Sequence, residues 1–169
     1  DMRIPITALL GDPNKGFKQF LETLTSGRIT IGALSIGTAQ GAFNRALLYS
    51  QEREAFGKSI NQFQGVSFKL SDMATEIEAS RHLVYHAAWK KDQGLPVIRE
   101  SAMAKLFSSE TAMKVTTEAI QVFGGYGYIK EYDVERFFRD AKILEIGEGT
   151  SEVQRMIIAK DLIQSVQTV

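Results

Sequence analysis

From about Gln62 to Lys91, the residues Phe63, Val66, Leu70, Met73, Ile77, Ser80, Val84 and Ala87 advance in alternating steps of three and four. That spacing lays one apolar stripe along a helix and is the seam of an antiparallel bundle. Gln93-Gly94-Leu95-Pro96 stops the pattern, because proline cannot continue a helix. About Ile98 to Phe123 reads as the next helix, carrying Leu106, Met113 and Ile120 seven apart with small or polar residues between them. Gly124-Gly125-Tyr126-Gly127-Tyr128 breaks it sharply. Upstream, Phe17, Phe20, Leu21 and Leu24 sit at helical spacing, and Gly27 marks a break or kink. The following stretch opens with Ile29-Thr30-Ile31, which alternates as a strand does, yet it runs to about Ala55 without a proline. Its length favours one long helix. Gly32, Gly37 and Gly41 inside it each cost about 1 kcal/mol against Ala, which makes sense where another backbone or a ligand packs closely. A turn at Phe56-Gly57-Lys58 leads into the seam helix. A short helix from about Asp133 to Lys142 and a last one from Thr150 or Ser151 to about Ser165 complete the pattern. Ser151 with Gln154 three residues on matches a capping box. Residues 1–14 hold two of the three prolines, with Asp12-Pro13 among them, and read as an extended segment and a turn. The predicted class is all-α, an up-and-down bundle of long antiparallel helices without internal repeats.

Composition changes this picture little. The 169 residues suit one domain with a real core, and the hydrophobic (44%) and charged (24%) fractions are ordinary for a globular protein. Lys+Arg and Asp+Glu balance at 20 each, so no electrostatic footprint for nucleic acid or an anionic membrane is present. The absence of cysteine excludes disulfides, thiolate zinc sites and iron–sulfur clusters and fits a reducing compartment. No apolar run approaches the ~20 residues of a membrane span, and no signal-peptide pattern opens the chain. The sequence begins with Asp1 and reads as a piece of something longer.

Candidate chemistry is confined to a few stretches. Glu148 stands between Gly147 and Gly149 at the entrance of the last helix, where a carboxylate serves either as a general base or as punctuation. Arg53 closes the first long helix beside Phe56; it suits bidentate phosphate recognition, although a cation complementing the helix dipole is the plainer reading. Gln121-Val122-Phe123-Gly124-Gly125 is a helix C-terminus with a glycine cap, or a place where backbone amides approach a flat ligand or a phosphate. His82 and His86 have the i, i+4 spacing of zinc ligands, but no third ligand is evident, so ordinary surface histidines are expected and no metal site is assigned. Arg136, Arg139, Asp140 and Lys142 read as a salt-bridged helix face.

The order of these stretches is more telling than any one of them. RxxFG from Arg53, then a long helix, then QVFGGYGY from Gln121, RDAKI from Arg139 and EGTSEVQR from Glu148 together resemble the C-terminal domain of the acyl-CoA dehydrogenases. The resemblance covers about residues 15–165; residues 1–14 resemble the tail of that family's middle β-domain. The implied division is therefore a tail over 1–14 and a helical FAD/acyl-CoA domain over 15–169, with two earlier domains elsewhere. The resemblance implies that Glu148 is the base that takes the α-proton of an acyl-CoA thioester, with the β-hydride passing to FAD and a trans-2-enoyl-CoA as product. It implies that the Glu148 amide and a flavin hydroxyl hold the thioester oxygen, with Gly149 giving the substrate access. Thr150 and Glu152 match flavin contacts. Arg53, Phe56, Gln64, Gln121, Val122, Gly124 and Gly125 match residues that reach the FAD of a neighbouring subunit, and Arg28 matches an arginine on the CoA side. An electron-transferring flavoprotein as partner, a homotetramer built as a dimer of dimers, and a cytoplasmic location in a bacterium or the mitochondrial matrix in a eukaryote follow from the same resemblance. An acyl-CoA oxidase or flavin monooxygenase on the same fold, or a catalytically silent assembly module, are the alternatives.

Three positions depart from the pattern. One branch of the family carries its base just before the arginine matched by Arg28, where this chain has Gly27. A common acid three positions before that arginine is Thr25, and a common aromatic ahead of the base is Gly147. The first departure leaves Glu148 as the matched base; the last reshapes the acyl pocket.

Overall fold

The computed structural model describes residues 1–166. Five helices form the body: α1 (Gly16–Glu52), α2 (Gln64–Asp92), α3 (Ile98–Phe123), α4 (Val134–Ile146) and α5 (Ser151–Val166). A two-stranded antiparallel hairpin, β1 (Glu54–Ala55) and β2 (Lys58–Ser59), joins α1 to α2. The all-α bundle expected from the sequence is the observed class. α3 is its axis, packed against α1, α2, α4 and α5.

A helix surrounded on several sides must let other backbones come close, and α3 does so with small side chains. Ala102, Ala104, Ser108, Ser109, Ala112, Val115, Thr116 and Ala119 are all buried, whereas Leu106, Met113 and Ile120 are only half-buried at its margins. The buried hydroxyls are satisfied within the helix: Ser108 Oγ donates to the Ala104 carbonyl (2.6 Å) and Thr116 Oγ1 to the Ala112 carbonyl (2.8 Å). On α2 the seam from Leu70 onward is the one that the spacing predicts, with Leu70, Met73, Ile77, Ser80, Val84 and Ala87 buried, whereas Val66 is half-buried and Phe63 precedes the helix.

The glycines of α1 divide by environment. A Cβ on Gly32 would lie 2.8 Å from Val84 Cγ2 and 3.3 Å from Ser108 Oγ, and one on Gly41 would lie 2.8 Å from the Phe137 ring. Both permit side-chain packing between helices. Gly37 faces open space.

Several boundaries differ from the sequence reading. Gly27 neither breaks nor kinks α1 into separate elements, and Ile29-Thr30-Ile31 is helical, because burial of Ile29 against the bundle outweighs a local β preference. α1 ends at Glu52 rather than near Ala55: Arg53 turns extended (φ −76°, ψ 125°), and Phe56 (φ 52°) and Gly57 (φ 80°) form the tight turn of the hairpin. The first fourteen residues include one 3-10 turn, Ile6–Ala8, and are exposed. α4 continues four residues past Lys142. Thr150, not Ser151, caps α5, its Oγ1 accepting the Val153 N–H at 3.4 Å.

Opposite outcomes are expected at two of the α1 glycines. Gly37→Ala should stabilise the domain by about 0.5–1 kcal/mol through helix propensity alone, whereas Gly32→Leu overpacks the α1–α2–α3 crossing and should destabilise it by about 1–3 kcal/mol. Thermal and urea unfolding of the two variants beside the parent measure both signs.

Candidate active site

The turn between α4 and α5 is built to hold one carboxylate. The Gly147 N–H donates to the Ile143 carbonyl at 2.7 Å, closing α4. Gly147 itself has an ordinary φ of −63°; the left-handed conformation falls on Glu148 (φ 57°) and Gly149 (φ 94°). For a residue with a Cβ that conformation costs roughly 1–2 kcal/mol and persists only where the surroundings dictate it. Here they do. Gln154 Nε2 donates to the Glu148 carbonyl (3.2 Å) and the Gly149 carbonyl (2.8 Å), which displaces the capping-box role expected for Gln154 and leaves the buried Ser151 Oγ unpartnered. Lys105 Nζ, from the fully buried middle of α3, donates to the same Gly149 carbonyl at 2.9 Å.

Held this way, the Glu148 side chain crosses to α1 and lies flat over Gly27. A Cβ at position 27 would fall 2.5 Å from Glu148 Oε2 and 2.9 Å from its Cδ. The missing side chain at 27 is therefore the space that the carboxylate occupies. Arg28 is next along α1. Arg28 is buried, and its Nε has no hydrogen-bond partner among the described residues. Burial pulls the Arg28 pKa below the ordinary arginine value, an effect opposed by the negative charge of Glu148. The Glu148 N–H meets no protein acceptor among the described residues. The Glu148 carboxylate, its amide and the unpartnered Arg28 Nε are thus brought together where the turn meets α1.

Thr150 and Glu152 stand on the neighbouring side of the turn, lining a cavity of about 220 Å³ with Glu110, Lys142 and Glu145. The Glu152 carboxyl is held below its usual range by its own backbone N–H and the Thr150 hydroxyl. Burial lowers the pKa of Lys105, opposed by the charges of Glu145, Glu110 and Glu152. Lys105 was not singled out from the sequence, although a signal exists: it lies on the same helical face as Ser101, Ser108 and Ala112, where a lysine is out of place unless paired.

A second cavity, of about 500 Å³, opens at the other end of α1. Arg53, Val122, Gly124 and Gly125, drawn from two distant stretches, line it together with Tyr49, Phe123 and Tyr126. Arg53 lies 5.7 Å from the Tyr126 ring centroid, and Gly124 takes a positive φ of 61° as it ends α3. A guanidinium over aromatic walls, with two glycines baring the backbone, suits a nucleotide carrying phosphate. Phe56, Gln64 and Gln121 are exposed nearby in sequence but do not line this cavity. The two sites are well apart: Arg53, just past the end of α1, follows Gly27 by 26 positions, about 39 Å at helical rise.

His82 and His86 are ordinary surface residues. His82 Nε2 sits 3.4 Å from Glu78, and His86 stacks on Trp89; no cluster of ligands for a metal occurs among the described residues. Arg139 pairs with Glu135, Arg136 with Asp133 and Lys142 with Glu145, so three of the four residues expected on a salt-bridged face are paired; Asp140 takes part in none of these pairs. No helix among the described residues is long and apolar enough to cross a membrane.

The family profile for the acyl-CoA dehydrogenase C-terminal domain matches residues 14–163. The chain belongs to the acyl-CoA dehydrogenase family. It is 56% identical over 97% of its length to a probable acyl-CoA dehydrogenase, YngJ, of Bacillus subtilis, covering 43% of that protein. It is 45% identical over 97% of its length to the CarC subunit of the caffeyl-CoA reductase–Etf complex of Acetobacterium woodii, again covering 43%. Among solved structures it resembles butyryl-CoA dehydrogenase from Megasphaera elsdenii, with a TM-score of 0.93 and 50% identity over 95% of the chain and 42% of that structure. The chain thus spans less than half the length of the relatives it matches.

The fit of Glu148 over Gly27 is open to a direct check. Gly27→Ala should keep or raise the unfolding temperature, since Ala favours a helix by about 1 kcal/mol, while forcing the carboxylate away. A crystal structure of the variant with the carboxylate still seated against residue 27 would contradict this packing.

Proposed function

We propose that this chain is the base-bearing domain of an FAD-dependent acyl-CoA dehydrogenase, converting a short acyl-CoA thioester to its trans-2-enoyl-CoA. The observation that carries the reading is the Glu148 carboxylate, held by a left-handed turn over Gly27 beside the buried Arg28, whose Nε is unpartnered among the described residues. A base for an α-proton has to be aimed rather than mobile, and Glu148 is aimed by its backbone. In this reading one Glu148 carboxylate oxygen takes the α-proton. The Glu148 N–H, which meets no protein acceptor among the described residues, donates to the thioester oxygen as negative charge develops there. The CoA side lies toward Arg28, and Gly149 leaves room at the turn.

Bound FAD would accept the β-hydride and hand electrons on to an electron-transferring flavoprotein, a partner supported by the Etf complex of the Acetobacterium woodii relative. Thr150 and Glu152 would hold the cofactor on the side of the base. Arg53, Val122, Gly124 and Gly125, with Phe56, Gln64 and Gln121 at the margin, would hold the cofactor of a second copy. The separation of about 39 Å along α1 supports two different cofactors, and with them at least a dimer, completed in the family's manner as a dimer of dimers. A short acyl chain is supported by the likeness to butyryl-CoA dehydrogenase. The protein would work in the cytoplasm of a bacterium or in the mitochondrial matrix.

In the full-length protein, Glu148→Gln should retain stoichiometric flavin and lose dehydrogenation by at least about 100-fold. Turnover of the parent against straight acyl-CoAs of increasing length should favour the shortest. Near-normal turnover by the Gln variant would sink the assignment of the base, and a preference for long chains would sink that of the substrate.

A further inference from the structure

The clamp on the Gly149 carbonyl is unusual in its composition. A fully buried lysine ammonium is an expensive way to satisfy one backbone oxygen. Gln154 already supplies a donor to that oxygen at 2.8 Å, and Lys105 adds a second at 2.9 Å. Two donors on one carbonyl occupy both of its lone pairs and fix the plane of the peptide that follows Gly149. The donors come from different elements. Gln154 belongs to α5, which moves with the turn, whereas Lys105 belongs to α3, the axis of the bundle. Gly27, on which the carboxylate rests, belongs to α1, which packs along α3. Arg155 joins α5 to α3 further on, through Glu110, but among the described residues the lysine bond is the side-chain hydrogen bond that runs from α3 to the turn itself.

We propose that Lys105 is a positioning residue: through the Gly149 carbonyl, its buried ammonium registers the Glu148 turn against α1, so that the carboxylate is held at the place where it removes a proton. This rests on the reading of Glu148 as the base. The Lys105 ammonium lies in the field of Glu145, Glu110 and Glu152, while its hydrogen bond goes to the Gly149 carbonyl of the turn.

The test uses the full-length holoenzyme with Lys105→Met, which keeps the length and removes the donor, and Lys105→Gln, which keeps a polar donor without the charge. Lys105→Met should retain flavin, lower kcat at least tenfold and leave KM within threefold. Amide hydrogen exchange over residues 147–155 should accelerate at least tenfold, with α1 and α2 unchanged. Lys105→Gln should recover part of both effects, and it carries the same comparison should Lys105→Met fail to fold. Unchanged exchange over 147–155, or loosening spread evenly over the helices, would overturn the proposal. Glu148→Gln run in parallel separates the two ideas: if that variant turns over normally while Lys105→Met still loosens residues 147–155, the base assignment falls and the positioning role of Lys105 toward the turn remains.

Discussion

The close approach of α3 to its neighbours constrains everything else in this domain. Its buried face is mostly alanine, serine and threonine, so α1, α2, α4 and α5 can all come near it. Side chains of that size bury little apolar area each, and the stability comes from dense packing and from hydroxyls that return their hydrogen bonds to the helix that bears them. A stripe of leucines would have pushed α1 outward. Gly32 and Gly41 extend the same logic to α1, where Val84, Ser108 and the Phe137 ring take the space of a Cβ.

A tightly packed frame makes it possible to keep strain where chemistry needs it. Glu148 sits in a conformation that its Cβ disfavours. Two buried donors on the Gly149 carbonyl and one on the Glu148 carbonyl keep it there. The carboxylate then rests on a glycine of another helix, and the next residue on that helix is a buried arginine whose charge it partly compensates. Among the described residues the arrangement leaves the Glu148 amide and Arg28 Nε without protein partners. Unsatisfied polar groups of this kind are disfavoured in a structural core and natural in a site that receives a polar ligand.

The sequence by itself determined the helical class, the seam of α2, the limits of α3 and the stretches that carry chemistry. It could do so because a 3.6-residue period and the breaks Gly94-Leu95-Pro96 and Gly124-Gly125 are local signals. The single carboxylate between two glycines was visible for the same reason. Tertiary structure alone decided which of those residues meet. Arg53 and Gly124-Gly125 share a cavity although some seventy residues separate them, and Phe56, Gln64 and Gln121 stand outside it. The burial of Ser108 and Ala112 rather than Leu106 and Met113 depends on how many helices surround α3, a property that no single helix encodes. Gly27 read as a break because glycine loosens a helix considered alone; in the fold it is helical and empty because Glu148, more than a hundred residues later, lies in its place. Lys105 passed unnoticed for the converse reason. A lysine's partner is chosen by the packing of α3 against the α5 turn, and one-dimensional spacing carries no record of that contact.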